Sequence, residues 1–252
     1  MLVIFYFLCY NHSMKKRLDV ILFEKKLYAS REKAKQAVEL GRVKVNGITA
    51  TKPSLECDEN DTFETLPFEF VSRGGFKLQK ALESFEIDLK DKVVLDIGAS
   101  TGGFSDVCLQ AGAKKVYAVD TGENQLAEKL KNDPRVVNME KTNYLSLSKD
   151  KISDAQVVVI DVSFVSLTKL IPKLSEDFQN VQVVALIKPQ FECGIDYARK
   201  HKGVVKDETM HKKIVENVTK CFEKYSFKKQ ALIVSPIKGG DGNTEFLICL
   251  KK

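Results

Sequence analysis

The sequence predicts an α/β protein in which a small α+β domain precedes a mostly parallel, doubly wound sheet whose last strand is antiparallel. From residue 93 onward, short β-branched runs alternate with helical stretches, as in a parallel sheet with crossover helices. The last two runs are joined by the glycine-rich segment 235–243, which is too short for a crossover helix. We therefore expect these two strands to be antiparallel.

The elements of the sheet follow from the hydrophobic pattern. Strands are predicted at 93–97, 115–119, 135–138, 156–161, 181–187, 228–234 and 244–250. Helices are predicted at 76–86, 102–112, 123–131, 166–174 and 207–225.

Charge is concentrated near the start of the chain. Residues 14–55 hold eleven Lys or Arg and four acids, whereas residues 56–252 hold 29 basic and 30 acidic side chains. A basic block joined to a nearly neutral body indicates a polyanion-binding module attached to a second domain. The alternative is a helix face whose charges are merely solvated.

This basic block has the pattern helix, helix, hairpin. Residues 17–27 have one apolar helical face, and Ser30 is a good N-cap for a second helix that Gly41 would end. An alternating strand then leads into Asn46-Gly47, which is a tight-turn sequence.

The segment SREKAKQAVELGRVKVNG at 30–47 resembles the RNA-binding domain named after ribosomal protein S-four. The matching positions are Ser30, Arg31, Ala34, Gly41, Val43, Val45, Asn46 and Gly47. The resemblance implies that Arg31, Lys35, Arg42 and Lys44 bind structured RNA, by phosphate neutralisation and recognition of RNA shape.

The domain boundaries follow from composition. We expect an S-four-like domain at 14–60, an acidic linker containing Pro67 at 61–70, and a catalytic domain at 71–252. Residues 1–13 carry no Lys, Arg, Asp or Glu and include a short apolar run at 2–8, and we interpret them as a non-native or disordered extension, with translation beginning at Met14. A signal peptide or membrane anchor is the alternative for this segment.

Six scattered cysteines without a C-x-x-C pair argue against a zinc site and a disulfide framework. We expect no metal, and a reducing, cytoplasmic location.

The run VVLDIGASTGGF at 93–104 predicts a ligand-binding turn between a strand and a helix. Its glycines allow close approach of a ligand to the backbone, and Asp120 ends the next strand, where a carboxylate can accept hydrogen bonds from ribose hydroxyls. This combination indicates S-adenosyl-L-methionine. The predicted cofactor residues are Asp96, Gly98, Ala99, Ser100, Thr101, Gly102, Gly103, Phe104, Asp120, Asn143 and Asp161.

Two alternatives remain for this loop. An NAD enzyme would prefer a third glycine where Phe104 stands, and a structural glycine turn would bind nothing. Residues 140–143, after the third strand, are weaker candidates for an adenine contact, with a solvated turn as the alternative.

Four ionisable residues are predicted to meet at the carboxyl edge of the sheet, where open α/β proteins bind their ligands. They are Lys77, Asp161, Lys188 and Glu245. Two lysines and two acids could orient a ribose hydroxyl and remove its proton, provided that one amine has a lowered pKa. A plain surface salt bridge is the alternative for any single member.

The ordered motifs SRGGFKL, DIGASTGGFSD, VIDVSF, LIKPQFE, KGVVKD and TEFL resemble the TlyA family over residues 14–252. These are bacterial ribosomal RNA methyltransferases, sometimes labelled haemolysins, with a Rossmann-like catalytic body similar to the FtsJ (RrmJ) 2′-O-methyltransferases. The resemblance implies methylation of a cytidine 2′-hydroxyl in ribosomal RNA. It implies that Lys188 is the general base or hydroxyl-orienting group, that Asp161 holds it, and that Lys77 and Glu245 position the ribose.

The resemblance implies ribosomal RNA or assembled ribosomal subunits as partner, and neither DNA nor a membrane. The rival functions are methylation of another RNA or a small molecule, a membrane-acting haemolysin, and an RNA-binding factor without catalysis. The basic segment Arg199–Lys202 is a second candidate for RNA contact.

Overall fold

The structure is a computed structural model, and it describes residues 15–67 and 69–252. The chain divides into two compact units, Met1–Glu69 and Phe70–Lys252. The predictions for residues 1–13 and for a start at Met14 lie outside the described residues.

The described part of the first unit, residues 15–67 and 69, contains two helices and five short strands. Its elements are β1 (Lys16–Arg17), α1 (Leu18–Glu24), α2 (Arg31–Glu39), β2 (Val43–Val45), β3 (Ile48–Ala50), β4 (Glu56–Cys57) and β5 (Phe63–Thr65). Strands β3, β2 and β5 form an antiparallel sheet in that order, and β1 pairs with β4. The core is formed by apolar side chains of both helices and of the sheet.

Local sequence signals explain most of this unit. The Ser30 hydroxyl accepts a hydrogen bond from the Lys33 amide at 3.2 Å, as an N-cap should. Asn46 and Gly47 both have positive φ, as a two-residue type I′ hairpin requires. Strand β5 lies within the predicted linker 61–70, and the acidic composition there gave no strand signal. Its Phe63 pairs with β2 and packs against the core.

A buried carboxylate ties the start of α1 to α2. The side chain of Asp19 is 2% exposed and accepts hydrogen bonds at 2.9 Å from the Nε atoms of Arg17 and Arg31. Burial alone would raise the pKa of Asp19, but the two arginines more than offset it and hold the pKa below its usual value.

The second unit is a seven-stranded sheet covered on both faces by helices. Its strands are β6 (Val93–Ile97), β7 (Lys115–Val119), β8 (Val136–Met139), β9 (Val157–Ile160), β10 (Gln182–Ile187), β11 (Lys228–Val234) and β12 (Phe246–Lys251). Its helices are α3 (Gly74–Ser84), α4 (Gly103–Gln110), α5 (Glu128–Lys131), α6 (Ile171–Asp177), α7 (Pro189–Glu192), α8 (Ile195–Lys200) and α9 (Glu208–Lys224).

The strand order is β11-β12-β10-β9-β6-β7-β8, and β12 is antiparallel to both of its neighbours. The remaining pairings are parallel, so the predicted fold class is confirmed. Alternate residues of the central strands enter two different cores: in β9, Val158 and Ile160 face the layer of α6 and α9, whereas Val157 and Val159 face that of α3 and α4.

Two predicted helices were wrong in extent. The segment 123–131 is helical only in α5, because Asn124 has positive φ and the Gln125 and Leu126 amides donate to the Glu140 carboxylate instead. The segment 166–174 begins as a 3₁₀ turn before α6. The short helices α7 and α8 were not predicted, since four to six residues are too few for a clear helical period.

The Asp19 contacts predict an acid-sensitive first unit. Since the folded pKa lies below the unfolded value of roughly 3.9, the stabilisation is present above that value and is lost as pH falls through the folded pKa. At neutral pH, Asp19→Asn should destabilise the unit by about 1–3 kcal/mol. Hydrogen–deuterium exchange of α1 and α2 from pH 7 to pH 3 would measure this, and a difference from wild type that did not shrink with acid would contradict it.

Candidate active site

The turn between β6 and α4 presses its backbone against the neighbouring strand end. Gly98 has a φ of +88°, and a Cβ atom there would lie 2.6 Å from the carbonyl oxygen of Asp161. The Gly98 and Ala99 amides donate to the Val119 carbonyl at 2.9 and 3.1 Å. Position 98 therefore requires glycine for two independent reasons, its φ and the lack of space.

Asp96 lies beneath this turn and is fully buried. Its Oδ2 accepts a 2.6 Å hydrogen bond from the Ser105 hydroxyl. Burial raises the pKa of Asp96 to about 7 against the effect of this hydrogen bond, and the charge of Asp161 adds to the rise. Asp96 therefore supports the turn from below and does not line the cleft above it.

Asp120 follows β7 and faces the same turn. Its two carboxylate oxygens accept hydrogen bonds from the Ser100 amide at 2.9 Å and the Gly122 amide at 2.7 Å. Each oxygen has a second lone pair, so the carboxylate can accept further hydrogen bonds from a ligand.

A cleft of about 560 Å³ opens above these groups, in the size range of small-molecule sites. Five of the predicted cofactor residues line it: Gly98, Ser100, Asp120, Asn143 and Asp161. The predicted residues that do not line it are Asp96, Ala99, Thr101, Gly102, Gly103 and Phe104. Lining residues that were not predicted include Thr121, Gln125, Tyr144, Leu145, Val162 and Phe164.

The segment after β8 contributes unevenly to the cleft. Asn143 lines it, and its side-chain oxygen accepts a hydrogen bond from the Leu145 amide at 2.9 Å. Glu140 instead holds the loop before α5. The Leu126 amide and the Asn138 side chain donate to it and, with the Gln125 amide, lower its pKa to about 2. Glu140 is therefore part of the scaffold.

Beyond the cleft, the structure brings two of the four predicted catalytic residues together as a buried pair. Lys77 Nζ lies 2.6 Å from Glu245 Oε2, and both side chains are at most 7% exposed. Lys77 belongs to α3, while Glu245 immediately precedes β12. Gly239 leaves room for the acid, because a Cβ atom there would lie 2.6 Å from Glu245 Oε1.

The other two predicted catalytic residues form a second pair. Lys188 Nζ lies 2.6 Å from Asp161 Oδ1 and donates a 2.8 Å hydrogen bond to the Ser163 hydroxyl. Asp161 also lines the cleft, and its Oδ2 would lie 3.8 Å from a Cβ atom on Gly74, one helical turn before Lys77.

Sheet register explains why the two pairs lie on one edge. Strand β10 ends at Ile187, which is paired with Phe246, the first residue of antiparallel β12. Lys188 and Glu245 are therefore adjacent strand-end positions. Because parallel β9 also ends at this edge, Asp161 joins them.

An exposed aromatic side chain at this edge was missed. Phe164 is 92% exposed, has a φ of +64°, and lies with its ring centroid 5.3 Å from that of Phe191. Glu192 supports this loop from α7, accepting hydrogen bonds from the Ser166 hydroxyl at 2.6 Å and the Leu167 amide at 2.7 Å, and its burial raises its pKa. The signal that could have identified Ser163 and Phe164 is their position directly after the β9 acid.

The four predicted RNA-binding residues lie in the first unit, and each has an acidic neighbour. Arg31 pairs with Asp19 at 2.9 Å, Lys44 with Glu64 at 3.7 Å, Lys35 with Glu39 at 4.0 Å, and Arg42 with Glu69. A phosphate would have to share these cations with carboxylates.

Comparison with known proteins gives two family matches. Residues 70–252 match the FtsJ-like methyltransferase model, and residues 16–63 match the S4 domain model.

Three relatives cover nearly the whole chain. A candidate rRNA methyltransferase of Bacillus subtilis, YqxC, is 44% identical over 94% of this chain and 86% of its own length. The 16S/23S rRNA (cytidine-2′-O)-methyltransferase TlyA of Mycobacterium tuberculosis is 36% identical over 94% of this chain and 90% of its own. The solved structure of a candidate hemolysin from Streptococcus thermophilus has a TM-score of 0.72 at 42% identity, over 95% of this chain and 89% of that one. With these matches, the chain belongs to the TlyA family of FtsJ-like methyltransferases.

Proposed function

We propose that this protein transfers a methyl group from S-adenosyl-L-methionine to the 2′-hydroxyl of a cytidine in ribosomal RNA. The observation that carries the proposal is the pairing of Lys188 with Asp161 beside the cleft, with the buried pair of Lys77 and Glu245 on the same sheet edge. The names of the TlyA relatives support the same reaction and substrate.

The cleft fits the cofactor. The bare backbone at Gly98 permits close approach, and the Asp120 carboxylate has lone pairs for the ribose hydroxyls. Asn143 lines the same cleft, and we assign the adenine contact to it. The bound cofactor would supply an electrophilic methyl group. Asp161 lines the cleft and also pairs with Lys188, so it would lie between the cofactor and the catalytic edge.

Lys188 is the group that would act on the ribose hydroxyl. With Asp161 and Ser163 as partners, its amine is held in one orientation. A lysine amine in this place could orient the hydroxyl oxygen by donating a hydrogen bond to it, or remove its proton as a general base.

Lys77 and Glu245 would position the ribose. Both side chains are almost completely buried, so they have little freedom to move. Their remaining hydrogen-bonding positions would therefore point in fixed directions toward the ribose. The exposed ring of Phe164 offers a stacking face for an unpaired base at the same edge.

Ribosomal RNA, alone or in assembled subunits, is the partner that we propose, with the S4 domain as one point of attachment. Arg31, Lys35, Arg42 and Lys44 would exchange their carboxylate neighbours for phosphates. This substrate also implies a cytoplasmic location.

A membrane-acting haemolysin is the second candidate, and the names of some relatives favour it. Within residues 15–67 and 69–252, no helix has the length and apolarity needed to cross a bilayer. The paired lysines at the sheet edge have no use in membrane lysis, so we prefer the methyltransferase.

The cleft predicts that cofactor binding depends on Asp120. Loss of hydrogen bonds to a charged acceptor typically costs about 1.5–3 kcal/mol, so Asp120→Ala should weaken S-adenosyl-L-methionine binding about 10–100-fold in calorimetry. Asp150→Ala, which removes an exposed acid outside the cleft, is the matched control and should bind normally. If wild type bound NAD and not S-adenosyl-L-methionine, the assignment would be wrong.

The lysine pair predicts that Lys188 is needed for chemistry and not for assembly. Lys188→Ala should fold and bind both cofactor and RNA, while single-turnover methyl transfer to ribosomal subunits falls by about 10²–10⁴-fold. Lys188→Arg should not restore transfer, because a guanidinium stays protonated and cannot accept the hydroxyl proton.

The matched control is Lys169→Ala, which removes an exposed lysine from the 3₁₀ turn near the same edge. It should transfer methyl at the normal rate. Substantial rescue by arginine would assign Lys188 to orientation alone. Normal transfer by Lys188→Ala with complete loss in Lys77→Ala would exchange the roles of the two lysines.

A further inference from the structure

Helix α8 and the loop that follows it present a cluster of basic side chains on the second unit. Arg199, Lys200, His201, Lys202 and Lys206 are all exposed. A groove of about 710 Å³ lies among them, lined by Tyr197, His201, Lys202, Val204, Lys206 and Asp207. We call residues 199–206 the basic loop.

The cations of this loop differ from those of the S4 domain in their ion pairing. Within the described part of the chain, no acid lies within salt-bridge distance of Arg199, Lys200, Lys202 or Lys206. The only carboxylate in the groove, Asp207, accepts hydrogen bonds from the Thr209 and Met210 amides as the N-cap of α9. A phosphate here would not compete with an ion pair.

A buried asparagine holds the basic loop against the catalytic edge. Asn243 is 1% exposed; its Nδ2 donates to the Gly203 carbonyl at 2.9 Å, and its Oδ1 accepts from the Val205 amide at 2.8 Å. Asn243 lies two residues before Glu245, so the segment that carries the catalytic acid also fixes the loop. Lys202 and Lys206 flank the held segment.

The groove also has a flat face. The rings of Tyr197 and His201 are stacked, with centroids 4.2 Å apart and planes 20° apart. Exposed cations beside stacked rings are the combination with which proteins follow a nucleic-acid backbone and contact its bases.

We propose that the basic loop binds backbone phosphates of the substrate RNA next to the nucleotide whose ribose enters the catalytic edge. The inference rests on the proposed function, because it takes RNA as the substrate. RNA is favoured over an anionic membrane, since Asn243 fixes the loop to the edge that would hold the ribose. The S4 domain would then attach the protein to the RNA, while the basic loop would fix the position of the RNA strand along the catalytic edge.

The test compares two double variants from which the same number of charges is removed. Lys202→Ala with Lys206→Ala removes the cations that flank the held segment. Lys90→Ala with Lys114→Ala removes two exposed lysines from the loops that precede β6 and β7, at the opposite edge of the sheet. Binding to the ribosomal RNA substrate is measured as a function of salt for wild type and both variants, with S-adenosyl-L-methionine binding as the check of folding.

The basic-loop variant should lower the slope of log affinity against log salt by about 0.7–0.9 for each phosphate that the protein no longer neutralises. The control should keep the wild-type slope. An unchanged slope in the basic-loop variant, or an equal fall in both variants, would overturn the proposal. So would a basic-loop variant that no longer binds phosphatidylglycerol vesicles but still binds RNA like wild type.

Failure of the proposed function would look different. If wild type transferred no methyl to ribosomal RNA and yet only the basic-loop variant showed a weaker salt dependence, the phosphate site would stand and the reaction would be wrong. Replacing Lys35 and Lys44 by alanine, which leaves the Asp19 ion pairs in place, measures the S4 contribution separately. A basic-loop effect that vanished in that background would contradict an independent phosphate site.

Discussion

Strand β12 enters the sheet between β10 and β11 and runs against both. An antiparallel strand begins at the edge where its parallel neighbours end, so the acid just before β12 lies at the same edge as the lysine just after β10. With a parallel last strand, the same acid would lie at the opposite edge, a full strand length away. The presence of Glu245 at the edge that Asp161 and Lys188 share depends on this one reversal of direction.

Electrostatics then determine what that edge can do. Each lysine is matched to one carboxylate, so the edge carries little net charge although four ionisable groups meet there. The Lys77 pair is buried and fixed, whereas Asp161 also belongs to an open cleft. The edge therefore combines a rigid half with a half that can respond to ligands. Asp96, buried beneath the turn with its pKa raised to about 7, is only partly ionised near neutral pH.

Much of the fold could be predicted from the sequence because its signals are local. Alternating strands and helices, the Ser30 cap and the Asn46-Gly47 turn each follow from the residues themselves. Strand β5 could not be predicted, since its partner β2 lies about twenty residues away and its composition is acidic. The late start of the helix before β8 could not be predicted, because the Gln125 and Leu126 amides donate hydrogen bonds to Glu140, which lies beyond the following strand.

The site divides in the same way. Strand ends identify Asp161, Lys188 and Glu245, and the start of the helix before the first strand of the sheet identifies Lys77, so the four could be chosen from the pattern. Which lysine meets which acid depends on side-chain packing across the sheet, and no local pattern encodes that. The ion pairs of the predicted RNA-binding cations could not be predicted for the same reason, and neither could their contrast with the cations of the basic loop, which are unpaired within the described residues.

The loop before β12 is held at Gly239 and Asn243, with an uncrowded position between them at Gly242. Gly239 cannot carry a side chain beside Glu245, and Asn243 is buried with both ends of its amide bonded. Between them, a Cβ atom at Gly242 would meet nothing within 4 Å, but the φ of +82° there favours glycine, and a Cβ atom at Gly240 would lie 3.3 Å from Arg73 Nη2. Position 242 is therefore limited by its backbone angle and not by crowding, so asparagine or aspartate, which adopt positive φ more readily than other side chains, could replace this glycine without moving the acid.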